Sequence, residues 1–281
     1  MSTKLIVDSG STKTRWALLT PDGETEIITT PGINPAIMSV DEINEIVAKE
    51  VAPVIDRHDI ECVHYYGAGC VSDKICNQMA QMLVEITGCR DVTVSSDLLG
   101  AARALCGHSR GIACILGTGS NSCMFDGERI IEHVSPLGFI LGDEGSGAVI
   151  GRKFIGTVLK RQLPDEIISD FDSQFHLNTA EIIERVYKRP APNAFLASFM
   201  PFVAKHIAHP AMESMITDEF TLFFKRNVMN YSNATTTPLH FTGSVAHHFS
   251  QQLYQAASSL GLNIVSIIAN PLPGLITYHK D

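Results

Sequence analysis

Short apolar runs alternate along the chain with stretches of helical spacing, and the alternation sets out the elements. Leu5-Ile6-Val7 ends at Asp8, Ser9-Gly10-Ser11 reads as a turn, and Trp16-Ala17-Leu18-Leu19 follows. Pro21-Asp22-Gly23 is a hairpin signal ahead of Glu26-Ile27-Ile28, so residues 4–30 read as three strands. Ser39 with Glu42 forms a capping box opening a helix, whose apolar face is Ile43, Ile46, Val47, Val51, Val54 and Ile55. Val63 to Tyr66 is a strand ending in Gly67-Ala68-Gly69. Ser72 caps a helix carrying Ile75, Met79, Met82, Leu83 and Ile86, and Gly88 stops it. Val92-Thr93-Val94 runs into Ser95-Ser96-Asp97, and Leu98 to Cys106 is a short helix ended by Gly107. The first third is therefore β-β-β-α-β-α-β-α, the signature of a layered α/β domain.

The pattern then starts again. Ile112 to Leu116 is a strand that ends in Gly117-Thr118-Gly119-Ser120, continues to Met124-Phe125 and turns at Asp126-Gly127. Laid on the opening, Asp8-Ser9-Gly10-Ser11 matches Gly117-Thr118-Gly119-Ser120, and Pro21-Asp22-Gly23 matches Phe125-Asp126-Gly127. This is a two-fold duplication rather than a solenoid. It predicts a junction near Ser109-Arg110-Gly111, with domains at 1–110 and 111–281 and the last residues free to return to the first domain. The second half is more helical. Helices are expected after Gly142-Asp143-Glu144-Gly145-Ser146-Gly147, from Asn178 and Glu181, over 193–206 and over 212–231. A strand follows at Leu239 to Thr242, then a helix from Val245 and a last strand at Ile264 to Ile268.

Composition narrows the function. The chain has 281 residues, 45% hydrophobic and 18% charged, long enough to hide roughly three quarters of its unfolded surface without disulfides or a structural metal. Lys and Arg number 21 against 30 Asp and Glu, a net −9 that argues against duplex nucleic acid as the main partner. It leaves room for a small anionic ligand at one local site. The seven cysteines include no C-x-x-C pair and read as reduced, mostly buried residues of a cytoplasmic protein. Asp8 breaks the opening apolar stretch, unlike a signal peptide, and no apolar run reaches membrane-span length, so no membrane partner is expected.

The chemistry lies in the two small-residue turns. Glycine and serine let several backbone N–H groups point into one concavity, which binds anionic oxygens, and hydroxyls add donors. One such turn is usually only a turn. Two in duplicate frameworks suggest a clamp on the β- and γ-phosphates of a nucleotide. Neither a Walker A loop nor a glycine fingerprint opening a helix is present. Asp97, where a strand gives way to a helix, suits a general base or, more plainly, a helix N-cap. Asp8 suits a Mg²⁺ ligand or a strand-ending residue bonding its own turn. Lys13 either neutralises phosphate or is solvated.

These motifs resemble the sugar kinase/actin/heat-shock chaperone superfamily of ATPases. Asp8 through Thr14 looks like its first phosphate loop, Gly117-Thr118-Gly119-Ser120 like the second, and Phe241-Thr242-Gly243-Ser244-Val245-Ala246 like its adenosine motif. Gly32-Ile33-Asn34-Pro35, Ser96 through Ala101 and Gly138 through Gly147 resemble the N-acetylglucosamine kinase branch of the BadF/BadG/BcrA/BcrD-type ATPase family. The resemblance implies two ribonuclease-H-like α/β domains flanking a nucleotide cleft, with the acceptor mainly on the first and ATP mainly on the second. It implies ATP held by Ser9, Gly10, Ser11, Thr12, Lys13, Gly117, Thr118, Gly119, Ser120, Gly243, Ser244 and Val245, with Mg²⁺ on Asp8. It further implies sugar contacts from Asn34, Asp97, Gly142, Asp143 and Glu144, with Glu144 alternatively capping the following helix. The activity implied is phosphoryl transfer from ATP to the 6-hydroxyl of N-acetylglucosamine, with Asp97 as base. The alternative is an activator-type ATPase coupling hydrolysis to electron transfer or conformational work. Such proteins hold an iron–sulfur cluster on cysteine thiolates, and no cysteine follows Cys123. The resembled family is often dimeric, and the Phe- and Met-rich helices of the second half are where either a homodimer face or a core would be drawn.

Overall fold

The computed structural model describes residues 3–280. They divide into two compact units, one holding the chain to Ser109 with Gly127–Arg129 and Asn270 onward, the other Arg110–Asp126 and Ile130–Ala269.

The first unit opens with strands β1 (Thr3–Ser9), β2 (Lys13–Leu19) and β3 (Thr25–Pro31). Helices α1 (Val40–Glu50) and α2 (Ala52–Ile55) follow, then β4 (Ile60–Gly67), α3 (Asp73–Thr87), β5 (Val92–Ser96) and α4 (Asp97–Cys106). The sheet order is β3-β2-β1-β4-β5, with β1, β4 and β5 parallel and β2 antiparallel to both β1 and β3. Pleating sends Leu5, Val7, Trp16 and Leu18 into one cluster, joined by Ile43, Val47 and Leu83 from the helices. Ile6, Ala17 and Leu19 enter a second cluster on the other face. A central strand covered on both sides reads as an unbroken apolar run, which is why Leu5-Ile6-Val7 stands out in the sequence.

The helix ends follow local chemistry. Ser39 and Glu42 exchange both hydrogen bonds of the capping box. Ser72 caps α3, and Gly88 ends it at φ 68°. The single apolar face expected from Ile43 to Ile55 is broken at Val51, because Pro53 cannot donate a backbone hydrogen bond within a continuing helix and instead occupies the first turn of α2.

The second unit repeats the sheet. Its strands are β6 (Gly111–Leu116), β7 (Ser120–Phe125), β8 (Ile130–His133), β9 (Leu239–Thr242) and β10 (Ile264–Ile268), in the order β10-β9-β6-β7-β8. β6 pairs antiparallel with β7 and parallel with β9, as β1 does with β2 and β4. The units differ in the crossover after the third strand. Where the first unit has α1 and α2, the second inserts α5 (Gly138–Leu141), α6 (Gly147–Leu159), α7 (Asp165–Phe175), α8 (Thr179–Tyr187), α9 (Pro192–Ala197), α10 (Met200–Lys205) and α11 (Pro210–Arg226). Then α12 (Ser244–His248) and α13 (Ser250–Ser259) precede β10.

The helix expected over 193–206 is two, α9 and α10, with Pro201 in the first turn of the second. That over 212–231 begins at Pro210, stops at Arg226 and passes into a 3₁₀ turn at Val228–Asn230. Phe199, Phe202, Phe220, Phe223 and Phe224 are buried in the unit's own core, and Phe195 packs against it. A final helix, α14 (Leu272–Tyr278), belongs to the first unit, where it packs on α4 and covers Ile6 and Ala17.

Candidate active site

In the first unit the parallel strands β1, β4 and β5 end together, and the predicted residues collect at this carboxyl edge, where open α/β sheets place their ligands. The turn between β1 and β2 is closed by the Gly10 N–H donating to Lys13 O at 3.0 Å. Ser9 is fully buried, and its hydroxyl lies 2.7 Å from Thr14 Oγ1 and donates to Ile33 O at 2.9 Å. Ile33 N–H in turn donates to Thr14 Oγ1. Gly32 sits so close to Gly10 and Ser11 that a Cβ there would meet their backbone. The Gly32-Ile33-Asn34 segment is thus a buttress for the first turn. Ser11, Thr12 and Lys13 are exposed at its tip. Asn34 ends the buttress; its Oδ1 accepts from Ala36 N–H at 3.0 Å, and its side chain lies against Gly69 beyond the end of β4.

Asp8 is the penultimate residue of β1 and faces Arg15 across the hairpin, Nη1 to Oδ2 3.7 Å. Burial pushes its carboxyl up to about 7; Arg15 opposes this and the nearby Asp97 charge adds to it. Asp97 opens α4. Burial raises its carboxyl to about 6, against the hydrogen bond its Oδ1 accepts from Leu98 N–H at 2.8 Å. The cap of α4 is Ser96, whose hydroxyl accepts from Leu99 N–H, so the plainer role open to Asp97 falls to its neighbour.

In the second unit the turn between β6 and β7 is tighter. Leu116 pairs with Ser120 where Ser9 pairs with Thr14, so the second turn is one residue shorter. Strand ends align Gly10 with Gly117, which corrects the sequence match of Asp8 to Gly117 by two residues and leaves Asp8 opposite Ile115. Gly117 N–H donates to Gly119 O within the turn, Gly147 N–H donates to Gly117 O at 2.8 Å and Ala148 N–H to Thr118 O at 3.1 Å. Ser146 caps the next N–H of α6. The turn is therefore bolted to the start of α6.

Asp143 lies on this turn. Its carboxylate sits beside Gly119 and accepts from the Ser120 backbone, and burial raises it to about 6. Its φ is 53°, and the flanking Gly142 N–H donates to Gly138 O. Glu144 is placed differently. It is buried, paired with Arg226 at 2.6 Å and accepts from Asn227 Nδ2 at 3.1 Å, so it braces the end of α11. Gly243, between β9 and α12, has φ 113° and approaches Leu116 so closely that a Cβ would strike its carbonyl. The Gly243-Ser244-Val245 and Gly117–Ser120 motifs accordingly stand side by side at one sheet edge, since β6 and β9 pair from Ile112 to Ile115. Asn34 and Asp97 belong to the first unit, Gly142, Asp143 and Glu144 to the second.

The sequence motifs take in Thr14 and Ser96 without giving either a role of its own, and they leave out Arg15. The hairpin itself held the signal for Arg15, because residues equally spaced about an antiparallel turn face each other.

Two five-stranded sheets of identical order, each with its glycine turn between first and second strands, define the two-domain fold of actin-like ATPases and sugar kinases. The chain belongs to the BadF/BadG/BcrA/BcrD ATPase family, whose sequence pattern matches residues 7–270. It is similar over 99% of its length, at 47% identity and TM-score 0.94, to a Porphyromonas gingivalis protein provisionally named an N-acetylglucosamine kinase, 98% of which is covered. A Chromobacterium violaceum protein with the same provisional name shares the fold at TM-score 0.75 and 15% identity, with 99% of each chain covered. A Streptomyces griseus ROK family glucokinase, solved with glucose and AMPPNP, does so at TM-score 0.59 and 16% identity over 99% of this chain and 98% of that one. No curated protein sequence matches. Among the described residues, no helix is long and apolar enough to cross a membrane.

Proposed function

We propose that the chain is an ATP-dependent amino-sugar kinase that phosphorylates N-acetylglucosamine on its 6-hydroxyl. The observation that carries this reading is the 47% identity, over nearly the whole of both chains, to the P. gingivalis protein of that provisional name.

The residue roles follow from local geometry. Asp97 is the general base. A carboxyl raised to about 6 is ionised at neutral pH yet more basic than an ordinary aspartate, which suits it to accept the proton of an attacking hydroxyl as the oxygen–phosphorus bond forms. Holding Oδ1 on Leu98 N–H fixes the carboxylate plane. Asn34 binds the acceptor with its amide nitrogen, since its oxygen is committed to Ala36. Asp143 orients a sugar hydroxyl. Gly142 lets the segment pass against the Pro136 carbonyl, and Glu144 supports it through Arg226 and Asn227. Ser9 acts through the turn it braces, and Gly10 to Lys13 serve the transferred phosphoryl group. Gly117 to Ser120 and Gly243 to Val245 hold ATP.

Mg²⁺ fits the donors present. Asp8 offers a hard carboxylate oxygen at the first turn, and an ion that keeps waters and phosphate oxygens as its other ligands needs no protein cage. When bound there it would offset charge on the phosphates.

The activator reading would require thiolates able to hold a cluster. Six of the seven cysteines are buried and Cys76 is half-buried. The test is an ATP-consumption screen over N-acetylglucosamine, glucosamine and N-acetylmuramic acid, with the product position fixed by NMR. Hydrolysis that no sugar stimulates would overturn the kinase.

A further inference from the structure

The proposed reaction leaves unused a groove in the second unit, an open cavity of about 460 Å³ lined by Arg152, Lys153, Thr157, Lys160, Gln162 and Asp218. Residues 152 and 156 fall at successive turns of α6 and Lys160 at its C-cap one turn further, so Arg152 and Lys160 flank Gly156 on one side of the helix. No atom lies within 4 Å of where a side chain at Gly156 would begin, so the glycine leaves the space between Arg152 and Lys160 free. Three cations converge here on a chain whose net charge is −9. Arg152 spends Nη1 on Phe139 O and Lys153 pairs with Glu219, while Lys160 stands exposed at the helix end.

We propose that this groove binds a phosphate group, either the phosphate of a phosphorylated sugar or free phosphate. Arg152 and Lys160 supply charge-assisted hydrogen bonds to its oxygens, and Gln162 adds a neutral donor. The volume lies within the range of small-molecule pockets, so a phosphate ester fills it better than bare phosphate. Asp218 also lines the groove, where its carboxylate accepts from a sugar hydroxyl and turns away further acidic charge. Occupancy has a path inward. A phosphate that draws on Lys153 competes with Glu219, which is 1% exposed and accepts from Gly145 N–H in the glycine segment after Asp143.

The site does not depend on the kinase reading, and its test reads binding rather than turnover. Backbone amide NMR of the full chain is recorded during titration with N-acetylglucosamine 6-phosphate, inorganic phosphate and N-acetylglucosamine. Saturable shifts of the Gly156, Thr157 and Gln162 signals are expected with the sugar phosphate. Gly156→Glu, which puts a carboxylate into the groove, weakens that binding about tenfold or more, and Lys160→Gln weakens it less. Gly156→Ala, which suits the helix and leaves the charges in place, keeps the affinity within about twofold. Tighter binding of the ester than of inorganic phosphate assigns the site to phosphorylated sugars, and equal binding assigns it to free phosphate. The proposal is overturned by the absence of saturable shifts, by equal shifts with the uncharged sugar, or by shifts that Gly156→Glu leaves intact.

Discussion

Asp8 and Arg15 are cross-strand partners at the mouth of the β1–β2 hairpin, and Arg15 is the cation that opposes the effect of burial on the Asp8 carboxyl. Because that carboxyl titrates near 7, the value of the pair depends on pH. At pH 8 Asp8 is ionised, and Arg15→Met removes its counter-charge at a cost of about 1 kcal/mol for a partly exposed pair. At pH 5 Asp8 holds its proton and the same substitution costs little. Thermal melts of both proteins at the two pH values check this; an equal loss at both would separate Arg15 from Asp8.

Asp97→Asn keeps the shape of the residue and removes its basicity. Acceptor binding by calorimetry should persist while kcat falls by about 10²–10⁴. In the unsubstituted protein kcat/KM should fall as pH drops through about 6, where Asp97 takes up a proton. Near-normal turnover by the variant would remove Asp97 from the base role.

Asn34→Ala and Asp143→Ala should each raise the acceptor KM more than the ATP KM. Asp143 is the sharper case, since its carboxylate also touches the Gly119 turn. A larger rise in its ATP KM would reassign it to nucleotide binding.

The C-terminal helix carries an acid-sensitive contact. His279 stacks on His64 with ring centroids 3.9 Å apart and shares a 2.9 Å hydrogen bond with Tyr66 Oη. Burial chiefly, with the charges of His64, Arg103 and Lys4, lowers its pKa to about 3. An unfolded chain protonates this ring near 6.5, so folding stability present above that value is lost as pH falls toward 3. The raised carboxyls of Asp8, Asp97 and Asp143 act in the opposite sense, and comparison with His279→Gln isolates the histidine. The variant should lose less stability than the parent between pH 6.5 and 4; parallel curves would refute the assignment.

Gly243→Ala places a Cβ against the Leu116 carbonyl at a φ that side chains avoid. A loss of at least about 2 kcal/mol of unfolding free energy, read as a lowered denaturant midpoint at unchanged m, is expected. An unchanged midpoint would mean the strand edge can move.

Much of this was legible because local and global signals agree. The Ser39–Glu42 box, Ser72, Gly88 and the Asn178–Glu181 box mark helix ends by their own hydrogen bonds. The repeated strand-and-turn unit reappears as two sheets of one order. Tertiary packing and proline position hid the rest. Pro271-Leu272-Pro273-Gly274 carries two prolines and a glycine, which give no local helix signal, yet proline is tolerated in a helix's first turn, and α14 is held by its packing on the sheet. The helix α7 carries Ile167, Ile168 and Phe171 at helical spacing, but Pro164 precedes it and no side chain caps its start, so the local signal of a helix opening is missing. The partners of Glu144 lie at the far end of α11, a closeness that no local pattern encodes.

The two hydrogen bonds that tie Gly147 and Ala148 to the second turn also fix a direction. In a trans peptide the carbonyl and the following amide point opposite ways. With the Gly117 and Thr118 oxygens turned toward α6, the N–H vectors of Thr118 and Gly119 aim away from it. The helix thereby serves as a jig: any slide or tilt of α6 swivels those two dipoles, so the aim of the turn's N–H groups is set by the seating of a rod whose far end lies several turns away.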